Sequence, residues 1–454
     1  MKFDKRNDPD HVSFGKLLAW QTRNISAGCV TIIMGYLMLY CTNALKMSPA
    51  LVGGLLMASK IFDGVTDLAA GYIVDNTNTR FGKARPYEFC IIGLWICSYA
   101  LFAVPETWGT IGKAIWVFIM YTLVFSVFQT LLSAAETPYV IRAFGTTEAV
   151  TKVSAYGGII ITLGCMIVSM TFPVLVDRMG TSTAGWRKIL LMYAVPLMAL
   201  GLLRFFIVKE DRADLVTKNA GHEEKVSIRE ILHLLRSNKY IWFCAIAIMI
   251  PKMLGAMNVG TYYFSVVVGN LSSYSVISLT SLVLLVVMFV FPILMRRYSG
   301  MQLVGGCAAV GIVGYLVNYL AGGNMGLLLL GAFLAGISTL PGSYMKSPII
   351  MQLADYNSRH GMKRMEASLS SVLNFLEKIG NSFGAFLIGA LLSAANYDGN
   401  LAMQPDSAVQ MIRCAYGLIP AGCLILVLVF VWAYRPLDRE MALARTENPS
   451  AMEE

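Results

Sequence analysis

Residues 51–74 read LVGGLLMASKIFDGVTDLAAGYIV, an apolar run with Lys60, Asp63 and Asp67 set inside it. A helix needs about 20 mostly apolar residues to cross the hydrocarbon of a bilayer, and ionisable groups within such a segment are expensive. Asp63 and Asp67 stand four residues apart, so one helical face carries both carboxylates, with Lys60 three residues ahead on that face. Together with the Thr66 hydroxyl they offer hard oxygen ligands to a small cation. Burial would equally let either carboxylate hold a proton. The competing reading is a Lys60–Asp63 ion pair that serves packing alone.

The same apolar pattern recurs along the chain. Of 454 residues 56% are hydrophobic and only 14% charged, which excludes an ordinary soluble domain. Twelve spans are predicted, at 20–41, 51–74, 89–104, 115–135, 153–175, 189–208, 241–268, 274–294, 303–320, 325–353, 369–395 and 408–434. None alternates as the strands of an outer-membrane barrel do. The polar stretch 209–239 separates six spans from six, so the expected domains are a bundle over 1–208, a linker over 209–239 and a second bundle over 240–454. Six plus six spans is the arrangement of major facilitator transporters, whose halves are parallel repeats around a midplane site. The expected fold is therefore all-α, with twelve transmembrane helices in two six-helix bundles.

Charge placement sets the expected topology. The net charge is +9, but the bases lie in short loops and form no tract, which argues against nucleic acid. With the N-terminus inside, the inner side collects Arg80, Lys83, Arg85, Arg142, Lys152, Arg296, Arg297, Arg359, Lys363 and Arg364, both terminal segments, and the bases from Arg204 to Lys239. The outer loops hold only Lys46, Lys113, Arg178, Arg187 and Lys188. Both termini are thus expected in the cytoplasm, in a multi-pass protein of the cell membrane. The charged opening MKFDKRNDPDHVSFGK lacks the apolar core of a cleaved signal peptide. The nine cysteines fall in or beside apolar segments and read as packing residues, and the four histidines lie in polar stretches, so neither points to a metal site. No G-x-x-x-x-G-K-[ST] loop supplies an ATP motor, and no enzyme chemistry is expected.

Further charges lie within the spans. Arg23, Lys252, Lys346 and Lys378 make the interior rich in bases, with snorkelling as the alternative for Arg23 and Lys252. Lys346 sits between Pro341 and Pro348 in the tenth span. Lys378 adjoins Glu377, but adjacent residues point to different helix faces. The loop after the second span, with Gly71, Asp75, Arg80, Gly82 and Lys83, reads as a conformational latch at the inner interface, or as a plain positive-inside loop.

Two segments resemble the glycoside–pentoside–hexuronide:cation symporters, the melibiose permease family. One is Lys60–Asp63–Asp67 followed by the loop ending Gly82-Lys83-Ala84-Arg85-Pro86. The other is Asp355-Tyr356 with Gly361, Arg364, Glu366 and Lys378. The resemblance implies a secondary active sugar transporter with Asp63 and Asp67 at the coupling cation, H⁺ or Na⁺, and Lys378 in the same charged cluster. It implies no cofactor, a sugar, glycoside or hexuronide as substrate, the lipid bilayer as surroundings and a monomer. Uncoupled facilitation, or export of drug- or lipid-like molecules on the same fold, is the alternative. The melibiose branch has a fourth-helix aspartate at sugar and cation; here Glu136 either takes its place or marks the cytoplasmic helix end. That departure favours H⁺ over Na⁺. The interior bases Lys252, Lys346 and Lys378 favour an anionic sugar such as a glucuronide, with neutral glycosides next.

Overall fold

The computed structural model describes residues 13–447 apart from 78, 80, 83, 145–146, 211–237, 289, 291–293, 295–296, 342–344, 362–365 and 402. Each of the twelve expected spans has a helical counterpart among the described residues, and none of those residues forms an extended strand. Helices satisfy their own backbone groups, which a lipid environment demands. By contact the chain divides into two compact units.

The first unit holds α1 (Phe14–Met34), α2 (Pro49–Asn76), α3 (Cys90–Leu101), α4 (Thr110–Phe144), α5 (Thr147–Met179) and α6 (Thr183–Ile207). Local signals start them: the Ser13 hydroxyl accepts from Lys16 N–H at 3.3 Å, Pro49 opens α2, and Ser182 accepts from Gly185 N–H at 3.2 Å. At one end of the unit Trp20 packs edge-on against Tyr139 and Phe144, with centroids 5.0 and 5.3 Å apart. At the other end Tyr40, Phe102 and Trp186 form a second aromatic cluster. The unit also takes in Gly269–Ser278 and Gly389–Gln404 from later in the chain. The Asp177 carboxylate accepts from Leu271 N–H and the Ser272 hydroxyl at 3.2 and 2.7 Å, and the Tyr397 hydroxyl donates to Asn43 at 2.8 Å.

The second unit holds α7 (Lys239–Met257), α8 (Thr280–Met288), α9 (Gly300–Ala321), α10 (Met325–Ile337), α11 (Lys346–Arg359), most of α12 (Glu366–Ala394), α13 (Asp406–Tyr416) and α14 (Leu418–Glu447). Ser299 and Gln302 make a reciprocal capping box at the start of α9. Gly314 and Gly331 let α9 and α10 pack backbone to backbone, since a Cβ at either would strike the other helix. One expectation is corrected here. The tenth span, expected unbroken over 325–353, is interrupted: α10 ends at Ile337, a turn over 338–340 follows just ahead of Pro341, and Lys346 opens α11. Ile167 on α5 and Trp432 on α14 are each 67% exposed, as apolar groups facing lipid are.

Candidate functional site

Four charges are buried together in the first unit. Arg23 from α1, Glu88 from the turn before α3, Glu136 from α4 and Arg204 from α6 converge, although their positions span most of the unit's sequence. Arg23 pairs with Glu136 and lies 3.8 Å from Glu88. Arg204 lies 2.9 Å from Glu136 and 3.5 Å from Glu88. The Arg204 guanidinium also covers the Trp20 ring at 3.2 Å. Asn24 donates to Glu136 at 3.1 Å and accepts from Arg204 at 3.4 Å. Two positive and two negative charges balance, which is how ionised groups tolerate burial. Only Glu136 reaches outward: its side chain is 29% exposed, the other three at most 4%.

Three expectations change. Arg23 does not snorkel; it is buried against Glu136 and donates to the Leu132 carbonyl at 3.1 Å. Glu136 does not mark a helix end, because α4 continues two turns to Phe144. Arg204, counted among the bases exposed on the inner side, is fully buried within α6. Sequence reasoning missed Arg204 and Glu88. The available signal was an Arg inside Leu202-Leu203-Arg204-Phe205-Phe206 and a Glu inside Tyr87-Glu88-Phe89, each flanked by apolar residues.

Beside this quartet, the loop after α2 is tied down by Glu210, an acid just beyond α6. Its carboxylate accepts from Ala84 and Arg85 N–H at 3.1 and 3.0 Å and pairs with Arg142 of α4 at 2.9 Å. Arg85 donates to the Phe205 carbonyl at 2.6 and 3.0 Å. Gly82 turns at φ +121°, and an added Cβ there would collide with Glu210. The second unit repeats the arrangement. Asp438 of α14 accepts from Ser299 at the start of α9 at 2.9 Å and from Gln352 of α11 at 2.8 Å. In each unit an acid at the sixth span holds the start of the third and a polar side chain of the fourth, as parallel repeats require. Arg80 and Lys83 lie outside the described residues, and of Gly71 and Asp75 only the helical backbone of α2 is described.

Asp63 and Asp67 lie in unbroken helix within α2, and their side chains are outside the described part. Thr66 is half-buried. Lys60 lies over the Phe125 ring at 4.2 Å and near that of Tyr121 at 5.6 Å. In the second unit Lys346 pairs with Glu377 at 3.1 Å and touches Asn374. Glu377 thus engages Lys346, and the expectation that Lys346 adds an uncompensated charge is corrected. Lys378 follows on α12 and Lys252 follows the Pro251 of α7, both half-buried. Close approach of those helices rests on Gly380 and Gly384, where a Cβ would meet Met249 and Met253.

Comparison with known proteins agrees with this architecture. The family described as MFS/sugar transport protein matches residues 27–439. An isoprimeverose transporter of Lactiplantibacillus pentosus is 28% identical, over 86% of this chain and 82% of its own. A glucuronide carrier protein homolog of Escherichia coli K12 is 23% identical, over 89% of this chain and 88% of its own. Among solved structures, a bacterial homolog of the human lysosomal transporter Spinster superposes with a TM-score of 0.69 at 13% identity, covering 93% of this chain and 97% of that one.

Proposed function

The chain belongs to the MFS/sugar transport protein family, and from that premise we propose that it carries a sugar or glycoside across a membrane together with a small cation. The observation that carries this reading is the length of the family match, residues 27–439, which runs through both units. Relatives named as an isoprimeverose transporter and a glucuronide carrier protein homolog support a sugar or glycoside as the substrate.

In this reading the protein is a monomer in the cell membrane with both termini in the cytoplasm, and bundles over 1–208 and 240–454 rock about a central site. Asp63 and Asp67, with Thr66, hold the coupling cation on one face of α2, and that cation is H⁺. Lys378, Lys60 and Lys252 belong to the charged surroundings of the site. Gly71, Asp75, Arg80, Gly82 and Lys83 form the inner latch, whose tie to Glu210 supports the assignment. No covalent step is needed. Cation and sugar favour one conformation over the other, and their release resets the cycle. The test is uptake of labelled glycosides by cells expressing the chain. Accumulation above the outside concentration that collapses with a protonophore is expected; uptake that only equilibrates and ignores ionophores contradicts coupling.

A further inference from the structure

Resting on the sugar-transport reading, we propose that Arg23 and Arg204 form a binding site for the carboxylate or sulfonate of an anionic sugar, and that Glu136 is its built-in occupant, displaced when it takes up a proton. The two guanidiniums are buried side by side and both touch Glu136. The Nε of each faces Glu88 at 3.8 and 3.5 Å, and the Arg204 terminal nitrogen that faces Glu136 lies 2.9 Å from it, so release of Glu136 would free donors on both guanidiniums. Two guanidiniums released from one carboxylate suit another planar or tetrahedral oxyanion in its place. Of the four charged groups only Glu136 is reachable from outside, so an entering ligand meets that carboxylate first.

Charge balance makes exchange with a proton the economical route. With Glu136 ionised the quartet is neutral; a second anion would bring it to a net charge of minus one in a buried place. With Glu136 protonated the quartet is plus one, and one sugar carboxylate restores neutrality. The groups facing Glu136 fix this count. They are Arg23 and Asn24 on α1, Glu88 ahead of α3, and Arg204 on α6, while the Tyr139 hydroxyl on its own helix is engaged with the Val208 carbonyl at 2.7 Å. Gln21, next to Asn24, is anchored to the Val153 carbonyl of α5 at 3.3 Å. On α2 the Lys60 ammonium is directed at Phe125. Glu88 remains the fixed counter-ion, and Glu136 is the exchangeable one.

The test is calorimetric binding to the purified, reconstituted protein from pH 5.5 to 8. The probes are the methyl glycosides of glucose and galactose and of the corresponding uronic acids, which differ in one carboxylate. A uronate stays ionised throughout this range. Uronide affinity is expected to fall with rising pH more steeply than that of the neutral glycoside, by up to about tenfold per unit for the one extra proton linked at Glu136. Glu136→Gln is expected to remove that extra slope, leaving the uronide parallel to the neutral glycoside, and to keep the low-pH affinity. Arg204→Gln is expected to weaken the uronide at least about tenfold and spare the neutral glycoside, whose binding also reports that the variant is folded. Asp67→Asn is expected to change the slope shared by both sugars and to leave the uronide's extra slope in place, which separates this site from the coupling site. Neutral glycosides binding as well as uronides at every pH, or a uronide profile unchanged by Glu136→Gln, overturns the proposal and leaves sugar transport standing. Binding of none of the four sugars overturns the sugar reading and the proposal with it.

Discussion

Arg204 is the residue whose setting says most about the first unit, because a fully buried guanidinium is tolerated only where acids and π faces replace water. It has both, with Glu88 and Glu136 as acids and Trp20 beneath. Glu88→Gln removes one acid and leaves two arginines facing one carboxylate, a loss expected to cost about 3–5 kcal/mol of stability. Arg204→Gln added to it restores balance and should recover much of that loss. Thermal unfolding of the purified protein in detergent checks this, and a double variant that loses the sum of both single effects contradicts it. Asp63 and Asp67 stand out in the sequence as two acids four apart in an apolar run, and their assignment rests on that pattern. Arg204 and Glu88 do not stand out, since each sits near a helix end where a base or acid ordinarily reaches water. Their pairing depends on α3 and α6 packing together, which no local pattern announces.

The clamp around Glu210 belongs to the scale of the element. Gly82, bridged to Thr79, takes a positive φ without a side chain to meet Glu210. Gly82→Ala is expected to cost about 1–3 kcal/mol from backbone strain, and Glu210→Gln about 1.5–3 kcal/mol from weakened hydrogen bonds to a charged group. Because both act on one contact, the double variant should fall short of their sum by at least about 0.5 kcal/mol. Simple additivity in thermal unfolding contradicts a shared clamp. Helix positions were readable from apolar run length, and all twelve expected spans have helical counterparts. The end of α10 at Ile337 was not, because apolar composition continues past it and only Gly336 and the Pro341 beyond the turn signal it. The interruption also places Lys346 at a helix start against Glu377, where run length alone had put it deep in a span.

At the scale of the whole molecule, two units built on the same tie between sixth, third and fourth spans fit a transporter that alternates by rocking. Glu210 and Asp438 play the matching parts. Substrate identity was the least legible property, since it depends on which of several buried bases already have acids, and Lys346 has one. Asp63→Asn and Asp67→Asn are expected each to abolish accumulation against a gradient, with sugar exchange spared in the Asp67 variant. Normal accumulation by both variants removes the acid pair from coupling. The measurement that bears most directly on cation-coupled sugar transport is sugar-driven cation flux in proteoliposomes holding the purified protein. With glycosides and uronides added outside in turn, at least one is expected to drive protons inward, alkalinising the outer medium, without added sodium. Sugar entry with no proton or sodium movement, or no sugar entry across the whole panel, contradicts it.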